Sequence, residues 1–306
     1  MNNTPRRILP KEEVRRLNSK VTELVSLYLN LAPDAISLEM IEEMVRDCGI
    51  GRELAFAEIL AVICGLDAAG ADRAMFTNYF VPMIHELDPT VFENDPYYKN
   101  IRIKGMKSGR WELTTMKLAP CEAFVCRDFV VTERGELIPQ LGFFMREFSY
   151  PAVLEDGREW MTLMPNETVT TLPAVNKAHG RVLTYGLGLG YFAYMCSIKE
   201  SVDKVTVVER SPEAVELFRS VILPQFSHPD KIELVIADAV EFAEKHAPSA
   251  GYDFIFADIW HDAGDGRELY HKFKSFEPLY PAGTEFSYWL EDTIRCYEDR
   301  ELWDLG

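Results

Sequence analysis

Three alternating glycines interrupt an apolar run in the middle of the chain. Gly186, Gly188 and Gly190 lie within RVLTYGLGLGYFAYM, and aromatic residues at helical spacing follow them. Because glycine has no Cβ, a turn of this kind lets backbone N–H groups and the start of the next helix approach a ligand closely. A tight strand-to-helix turn without a ligand produces the same pattern. The glycines alone therefore indicate a candidate binding turn but no particular ligand.

Acidic residues close three further apolar runs. Glu209 ends KVTVVE about 20 residues after the glycines, Asp238 follows KIELVIA, and Asp258 ends YDFIFAD. An acid at the first position can accept hydrogen bonds from both hydroxyls of a ribose, and one at the second can hold the exocyclic amine of an adenine. Glu209 and Asp238 could also have purely structural roles at helix starts. Glu209 directly precedes a helix start at Ser211, and Asp238 with Glu241 has the pattern of a helix N-cap.

These side chains need a sheet that brings strand ends together. The runs RVLTYG, KVTVVE, KIELVIA and YDFIFAD are rich in Val, Ile and Phe, and helical segments separate them. This alternation predicts an α/β fold with a doubly wound, mostly parallel, Rossmann-like sheet. Ligands of such sheets bind beyond the carboxyl ends of the strands. We therefore expect the glycine turn and the three acids to face one crevice.

Two other sequence patterns precede the predicted sheet. Apolar positions recur at three- and four-residue spacing from about residue 11 to residue 90, which predicts helices. The β-rich runs WELTTMKL, EAFVCRDFVVT, LGFFMREFSY and AVLEDGREWMTLM then alternate with turn signals such as ERGE and EDGR, which predicts a small antiparallel β unit. We predict three regions: helices over 1–95, the β unit over 96–168 and the α/β domain over 169–306.

Composition narrows the classes of function. Hydrophobic residues make up 47% and charged residues 26%, the balance of a soluble globular protein. A net charge of −17 should repel a phosphate backbone, so we expect no nucleic-acid partner. The most apolar stretch, LAFAEILAVICGL, is too short for a bilayer, and the first residues lack the apolar core of a signal peptide. We predict a cytoplasmic protein without a membrane partner.

The cysteines form no CxxC pair, and we expect reduced, buried thiols and no metal centre.

The sequence disfavours two competing nucleotide-binding motifs. A dinucleotide fingerprint would place its third glycine where this chain has Tyr191, and no GK[ST] follows the glycines as in a P-loop. An NAD-dependent oxidoreductase is therefore a weak alternative.

The segments VLTYGLGLG, VTVVER, ADAVEF and YDFIFADIW fall in the order and spacing of the four cofactor motifs of class I S-adenosylmethionine-dependent methyltransferases. The chain resembles that family from residue 170 to about residue 265. The resemblance implies that the glycine turn receives the methionyl part of S-adenosyl-L-methionine, that Glu209 binds the ribose, and that Asp258 faces the reacting centre. It implies these cofactor-binding residues: Tyr185, Gly186, Gly188, Gly190, Glu209, Arg210, Asp238, Ala239 and Asp258.

The same fold serves spermidine and spermine synthases, which transfer an aminopropyl group from decarboxylated S-adenosylmethionine to a polyamine. AVLEDGREWMTLMPNE is similar to their Asp-Gly hairpin, and an acidic loop follows Asp258. In contrast, GLGLGY lacks the acid of that family's glycine loop, and Asp262 is displaced by one residue from its second loop acid. We predict Asp258 and Asp262 as catalytic residues.

Methyl transfer to a small-molecule acceptor is the leading hypothesis, because displacement at a sulfonium needs orientation more than a particular catalytic side chain. Aminopropyl transfer and a non-catalytic nucleoside-binding protein are the alternatives. The identity of the acceptor is left open by the sequence.

Several side chains near these motifs have two interpretations. The loop HDAGDGREL is rich in turn formers, so it is either a plain turn, a substrate-facing acidic loop, or a carboxylate metal site made by Asp258, His261, Asp262 and Asp265. Trp160 and Met164 either pack in the core, which is the favoured interpretation, or fold over the ligand pocket. Glu167 is either a helix-start residue or a contact to the nucleoside.

The end of the chain departs from the methyltransferase pattern. After YDFIFADIW we expect a helix in RELYHKFKSF, a fifth strand in TEFSYWLE and a final helix, without the usual closing β-hairpin. An uncovered sheet edge invites pairing with other chains. Either the N-terminal helices or a second subunit should cover it, so a homodimer is a reasonable expectation.

Overall fold

The computed structural model describes residues 9–103, 105–262 and 264–298, but not the side chains of 296–298. The predicted regions 1–95 and 169–306 therefore run past the described residues at the two termini, and the thiol of Cys296 is outside them too. None of the helices in the described part of the chain is both long and apolar enough to cross a membrane.

The helices, in chain order, are α1 (Lys11–Leu31), α2 (Leu38–Cys48), α3 (Arg52–Ile63), α4 (Arg73–Met75), α5 (Val81–Met83), α6 (Pro89–Glu93), α7 (Pro96–Asn100), α8 (Pro165–Lys177), α9 (Tyr191–Ser197), α10 (Pro212–Leu217), α11 (Ala239–Lys245), α12 (Arg267–Phe276) and α13 (Glu291–Glu298). π-Helical turns lie at Phe76–Phe80 and Phe218–Ile222. Short 3-10 turns lie at Leu223–Gln225, Pro229–Lys231, Ala247–Ser249 and Glu277–Leu279.

The strands are β1 (Ile84–Glu86), β2 (Met106–Ser108), β3 (Trp111–Leu118), β4 (Phe124–Val131), β5 (Leu137–Phe143), β6 (Phe148–Glu155), β7 (Arg158–Thr162), β8 (Gly180–Tyr185), β9 (Val202–Glu209), β10 (Ile232–Ile236), β11 (Phe254–Ala257) and β12 (Glu285–Tyr288).

Within the described residues, five parallel strands form the sheet that positions the predicted site. Their order is β10-β9-β8-β11-β12, so the chain order reverses at β8. The predicted α/β fold with a parallel Rossmann-like sheet is confirmed. The predicted fifth strand is β12, and the predicted helices after β11 are α12 and α13.

The central strands of this sheet form because they are covered on both faces. Val182, Leu183, Phe254 and Phe256 are almost completely buried. Parallel strands of α/β proteins are continuous apolar runs for this reason. Burying one such side chain stabilises the fold by about 1.5–3 kcal/mol. The polar ends of the strands are thereby held on a rigid support.

The described chain divides into two compact units. One contains the residues up to Pro89, Lys117–Phe148 and the end of the described chain from Arg295, and the other contains Thr90–Met116 and Ser149–Ile294. The predicted boundaries after residues 95 and 168 remain a prediction about domains.

The first unit combines helices α1 to α5 with the sheet β1-β5-β4. Its core includes a stacked pair, Phe56 and Phe143, with ring centroids 4.6 Å apart. Strand β1 lies inside the region that we predicted as helical and pairs in parallel with β5. The prediction of helix was wrong for β1. A strand of three residues is too short to show a period-two pattern of apolar residues, and its partner β5 is distant in sequence.

The predicted β unit is divided between two sheets. Strands β4 and β5 pair antiparallel within the first unit, whereas the sheet β2-β3-β6-β7 lies almost entirely in the second. The predicted single unit was wrong on this point, because local strand signals do not say which strands pair. The Asp-Gly turn is as expected: Asp156 and Gly157 have φ of 51° and 77°, the left-handed values that a tight β6–β7 hairpin needs.

The expectation of buried thiols holds for some of the described cysteines. Cys121, Cys126 and Cys196 are buried and Cys64 is half-buried. Cys48 is exposed, because it ends α2 on a side of that helix that faces solvent.

Candidate functional site

A cavity of about 470 Å³ opens at the carboxyl ends of the parallel strands, within the second unit. Its walls come from the turns that follow β8, β9, β10 and β11, from β7 and from the first turns of α8. The volume lies in the range of small-molecule sites, about 300–1,000 Å³. The position is where ligands bind in doubly wound sheets.

The glycine turn forms one wall, and its backbone requires glycine. Gly186 and Gly188 have φ of 96° and 49° and line the cavity. A Cβ on Gly186 would lie 2.0 Å from the carbonyl oxygen of Asp258, and one on Gly188 would lie 2.0 Å from Sδ of Met161. The turn is thus packed against the end of β11 on one side and against the β6–β7 hairpin on the other.

Two residues that the resemblance implies as cofactor contacts do not line the cavity. Gly190 precedes α9 and would collide with the ring of Phe218 if it carried a Cβ. Tyr185 is buried, with its ring centroid 4.9 Å from that of Phe273 and its hydroxyl 3.2 Å from the hydroxyl of Tyr280. Both residues support the turn from outside the cavity.

Glu209 ends β9 and lines the cavity together with Arg210. Its Oε2 accepts a hydrogen bond from the backbone N–H of Leu187 at 3.3 Å, and its Oε1 accepts one from the N–H of Ser211 at 2.8 Å. The carboxylate therefore has a fixed direction beside the glycine turn. Its contact with a ribose remains a prediction.

Asp238 and Ala239 also line the cavity, at the start of α11. Oδ1 of Asp238 accepts the backbone N–H of Glu241 at 2.9 Å, so the side chain is the N-cap of this helix. The two interpretations of Asp238 are compatible, because the capping carboxylate also stands at the cavity wall. Its contact with adenine remains a prediction.

Asp258 and Glu167 bring two carboxyl groups to the same cavity. Asp258 follows β11, Glu167 lies in the first turn of α8, and both are half-buried. Burial raises the pKa of Asp258 to about 7. Burial, together with the negative charges of Asp258 and Glu159, raises the pKa of Glu167 to about 8. A pair of acids with pKa values near neutrality is a feature of functional sites.

Sequence reasoning left the place of Glu167 open. A glutamate after a proline at the start of a helix has the same pattern whether it faces solvent or a cavity. Its burial depends on how α8 packs within the second unit, which no local signal reports.

Aromatic rings form another part of the wall. The ring of Trp160 lies edge-on to that of Trp111, at 5.4 Å between centroids, and to that of His261, at 5.2 Å. Trp160 and His261 line the cavity, whereas Met164 is the N-cap residue of α8 and does not. The core role that we predicted for Trp160 is therefore incomplete. Indole faces attract cations, by about 0.5–2 kcal/mol.

The acidic loop after Asp258 is closed on itself. Oδ1 of Asp262 accepts the N–H groups of Gly264 and Asp265, at 2.6 and 3.0 Å, and Asp265 accepts the N–H of Asp262 at 3.0 Å. Asp262 is exposed and does not line the cavity. The structure thus gives Asp262 a turn-forming contact, and its catalytic role stays a prediction. No group of three or more potential metal ligands occurs among the residues that the structure describes.

No protein-family model and no curated protein matches the chain. Among solved structures, it is similar to the spermidine synthase of Thermotoga maritima, with 17% identity and a TM-score of 0.34 over 51% of this chain and 55% of that chain. It is also similar to a spermidine synthase in complex with the transition-state analogue AdoDATO, with 18% identity and a TM-score of 0.34 over 51% and 56% of the two chains. The chain thus spans little more than half the length of these structures.

The class of fold follows from the sheet itself. The parallel order around β8 and the glycine turn that follows β8 are those of a doubly wound, Rossmann-like α/β fold.

Proposed function

We propose that this chain is an S-adenosylmethionine-dependent transferase that acts on a small-molecule acceptor. The observation that carries the proposal is a single cavity whose walls include the glycine turn, Glu209, Asp238 and Asp258. Each of these groups comes from the end of a different parallel strand, where one part of a sulfonium nucleoside could contact it.

The expected pose follows from the positions of the acids. Glu209 accepts hydrogen bonds from the ribose, Asp238 from the adenine amine, and the backbone at Gly186 and Gly188 contacts the side chain of the donor. A sulfonium ion carries a positive charge and no phosphate. It therefore suits a cavity whose walls hold five acids, Glu159, Glu167, Glu209, Asp238 and Asp258.

The reaction is a displacement at the carbon bonded to sulfur. The acceptor nitrogen or oxygen forms a bond to that carbon, the carbon–sulfur bond breaks, and its electron pair returns to sulfur as a neutral thioether. An amine acceptor must also lose a proton. Asp258 is the group that takes it, since a base whose pKa of about 7 lies near the working pH is well matched to proton transfer.

Methyl transfer is the first candidate for the group transferred, because it asks of the protein only alignment and exclusion of water. Aminopropyl transfer is the second candidate. The acidic lining favours it, because a polyamine acceptor is a polycation, and the β6–β7 hairpin supplies Glu159 and Trp160 to the wall.

Product analysis tests the proposal. The purified protein is incubated with S-adenosylmethionine or with its decarboxylated form, each with a panel of diamines and polyamines, and the thioether products are measured by mass spectrometry. We expect S-adenosylhomocysteine for methyl transfer or methylthioadenosine for aminopropyl transfer. Binding of both donors without either product would favour the non-catalytic nucleoside-binding alternative.

A further inference from the structure

We propose that Tyr97 is a positioning residue of the nucleoside site: its hydroxyl holds the glycine turn in the conformation that binds the ligand. Tyr97 lies in α7, which precedes the antiparallel strand β2, and it does not line the cavity. The inference rests on the proposed function, because it takes the glycine turn as part of a nucleoside site. It adds a residue outside the parallel sheet on which the affinity of that site depends.

The hydroxyl of Tyr97 forms a hydrogen bond to the backbone of the glycine turn. Its Oη donates to the carbonyl oxygen of Leu189 at 2.6 Å, and neither residue is exposed to solvent. Among the residues that the structure describes, no other group donates to this carbonyl. Buried carbonyl groups are almost always hydrogen-bonded, and bulk water cannot replace the hydroxyl where both residues are buried. The turn therefore depends on the hydroxyl for this contact, and not only on packing against the ring.

The bond reaches the turn next to a residue that lines the cavity. Gly188 lines the cavity, and glycine by itself permits many backbone conformations. On one side of Gly188 the N–H of Leu187 donates to Glu209, and on the other side the carbonyl of Leu189 accepts from Tyr97. Two side chains from different elements therefore select one conformation of the turn. Glu209 is a predicted ligand contact, whereas Tyr97 acts only through the backbone.

Helix α7 is fixed to two other parts of the cavity wall. Asp95, the N-cap residue of α7, accepts the N–H of Tyr97 at 2.8 Å and the hydroxyl of Tyr191 at 3.0 Å. The hydroxyl of Tyr98 donates to the carbonyl oxygen of Leu163. Tyr191 begins α9, Leu163 lies between β7 and α8, and both line the cavity. Because α7 is held at these places, Tyr97 can fix the turn relative to the rest of the wall.

Loss of the hydroxyl should weaken nucleoside binding without removing any ligand contact. The carbonyl of Leu189 would be left buried without a donor, which favours other conformations of the turn. The nucleoside then binds only the molecules that keep the original turn, and its apparent dissociation constant rises by the inverse of their fraction. We expect Tyr97→Phe to bind methylthioadenosine about tenfold more weakly, as it would if about one molecule in ten kept the turn.

Tyr194→Phe is the matched control, because it removes a hydroxyl from the same aromatic cluster. The ring centroids of Tyr194 and Tyr97 are 5.5 Å apart, and both residues are almost completely buried. Within the described part of the chain, the hydroxyl of Tyr194 bonds Nδ2 of Asn100, at 2.7 Å, and not the glycine turn. Tyr194 also does not line the cavity. The control should therefore lose stability but keep its affinity for methylthioadenosine.

Hydrogen exchange tests the contact between Tyr97 and the turn without any ligand. Deuterium uptake of a peptide that covers residues 186–190 is measured by mass spectrometry for the natural protein and both variants. Uptake should be faster in Tyr97→Phe and unchanged in Tyr194→Phe. Calorimetry then measures the affinity for methylthioadenosine, and melting temperatures show whether each variant is folded.

Asp95→Asn is a milder second variant, for use if Tyr97→Phe does not fold. An asparagine oxygen can still cap α7, but the hydrogen bond from Tyr191 loses its charged acceptor. Helix α7 should be held less firmly, so uptake at residues 186–190 should rise and the affinity for methylthioadenosine should fall. Both changes should be smaller than those expected for Tyr97→Phe.

The outcomes separate the two proposals. If methylthioadenosine fails to bind the natural protein, the proposed function is wrong, and hydrogen exchange alone decides whether Tyr97 holds the turn. If it binds and a folded Tyr97→Phe protein has full affinity or unchanged uptake, the positioning role is wrong although the nucleoside site stands. Equal losses of affinity in Tyr97→Phe and Tyr194→Phe would show a general effect of the aromatic cluster on the fold, which also overturns the inference.

Discussion

The carboxylate of Glu209 accepts a hydrogen bond from the backbone N–H of Leu187, with 3.3 Å between Oε2 and N. This contact joins the acid at the end of β9 to the glycine turn after β8. The two elements are adjacent in the sheet but about 20 residues apart in sequence. The turn and the acid are therefore positioned together, as a site for one ligand requires.

Replacement of Glu209 should weaken nucleoside binding. Each charge-assisted hydrogen bond to the ribose contributes about 1.5–3 kcal/mol, so Glu209→Ala should lower the affinity for methylthioadenosine by about tenfold or more. Glu209→Gln keeps one acceptor oxygen. Its affinity for methylthioadenosine should lie between those of the natural protein and of Glu209→Ala. Calorimetry measures the affinities, and the melting temperature shows whether each variant is folded. A folded Glu209→Ala protein with full affinity would remove the ribose role.

Gly186→Ala should destabilise the fold more than a glycine replacement in open space. At Gly186 a Cβ meets a backbone carbonyl that has no freedom to move aside, and the left-handed φ adds strain. Gly109, at φ 60° with nothing within 4 Å of a Cβ, is the matched control for strain alone. We expect Gly186→Ala to cost at least about 2 kcal/mol more than Gly109→Ala in urea unfolding. Equal costs would mean that the turn and the end of β11 are not in close contact.

Asp258→Asn should remove the proton acceptor without removing the nucleoside pocket. For the natural protein and an amine acceptor, kcat/KM should rise with pH to a plateau, with an apparent pKa near 7. The variant should lose about 10²–10⁴ in kcat and this rise with it. Rates measured from pH 5.5 to pH 9 check both expectations. This range extends about two units above the expected pKa. Retention of the same pH profile would assign the proton transfer to another group.

The effect of Asp262→Asn on kcat should be compared with that of Asp258→Asn. An asparagine oxygen can accept the same N–H groups of Gly264 and Asp265, so the turn should persist. If Asp262 only forms the turn, kcat should change little, because the residue does not line the cavity. A loss comparable to that of Asp258→Asn would support the catalytic role predicted from the sequence.

The stability of the ligand-free protein should fall as pH rises. The pKa of Glu167 is raised from 4.5 to about 8 and that of Asp258 from 3.8 to about 7, so the folded state binds more protons than the unfolded chain between these values. The favourable contribution of the protonated acids is complete below about pH 4 and is lost as pH passes through 7 to 8. Urea unfolding of the natural protein and of Glu167→Gln at pH 5, 7 and 9 measures this change in stability. These pH values lie on both sides of about pH 8, where Glu167 titrates. The variant should lose less stability across the series, and parallel losses would contradict the assignment.

The parallel sheet could be predicted because its strands are continuous apolar runs that end in polar residues. Phe254 to Ala257 are all buried, and such a run between helices has few other interpretations. The Asp156-Gly157 turn could be predicted because its backbone conformation selects those residue types. The positions of Gly186, Glu209, Asp238 and Asp258 at one cavity follow from the same logic, since carboxyl ends of parallel strands share one edge.

The remaining features depend on tertiary packing. Tyr185 stands at the end of the same strand as the glycine turn, but its side chain points into the core, toward Phe273 and Tyr280. Asp262 and Glu167 have similar sequence contexts, each an acid near a helix start. Asp262 is exposed in its own turn, Glu167 lines the cavity, and only tertiary packing distinguishes them.

The proposed nucleoside site is tested most directly by the binding of methylthioadenosine, S-adenosylhomocysteine and NAD to the natural protein and to Glu209→Ala. A ligand that binds only the folded state stabilises it by about 2.7 kcal/mol at 100 times its dissociation constant, which a thermal-shift assay detects. We expect stabilisation of the natural protein by both thioether nucleosides, a much smaller effect for Glu209→Ala, and none with NAD. Stabilisation by NAD alone, or equal stabilisation of both proteins by the nucleosides, would contradict this expectation.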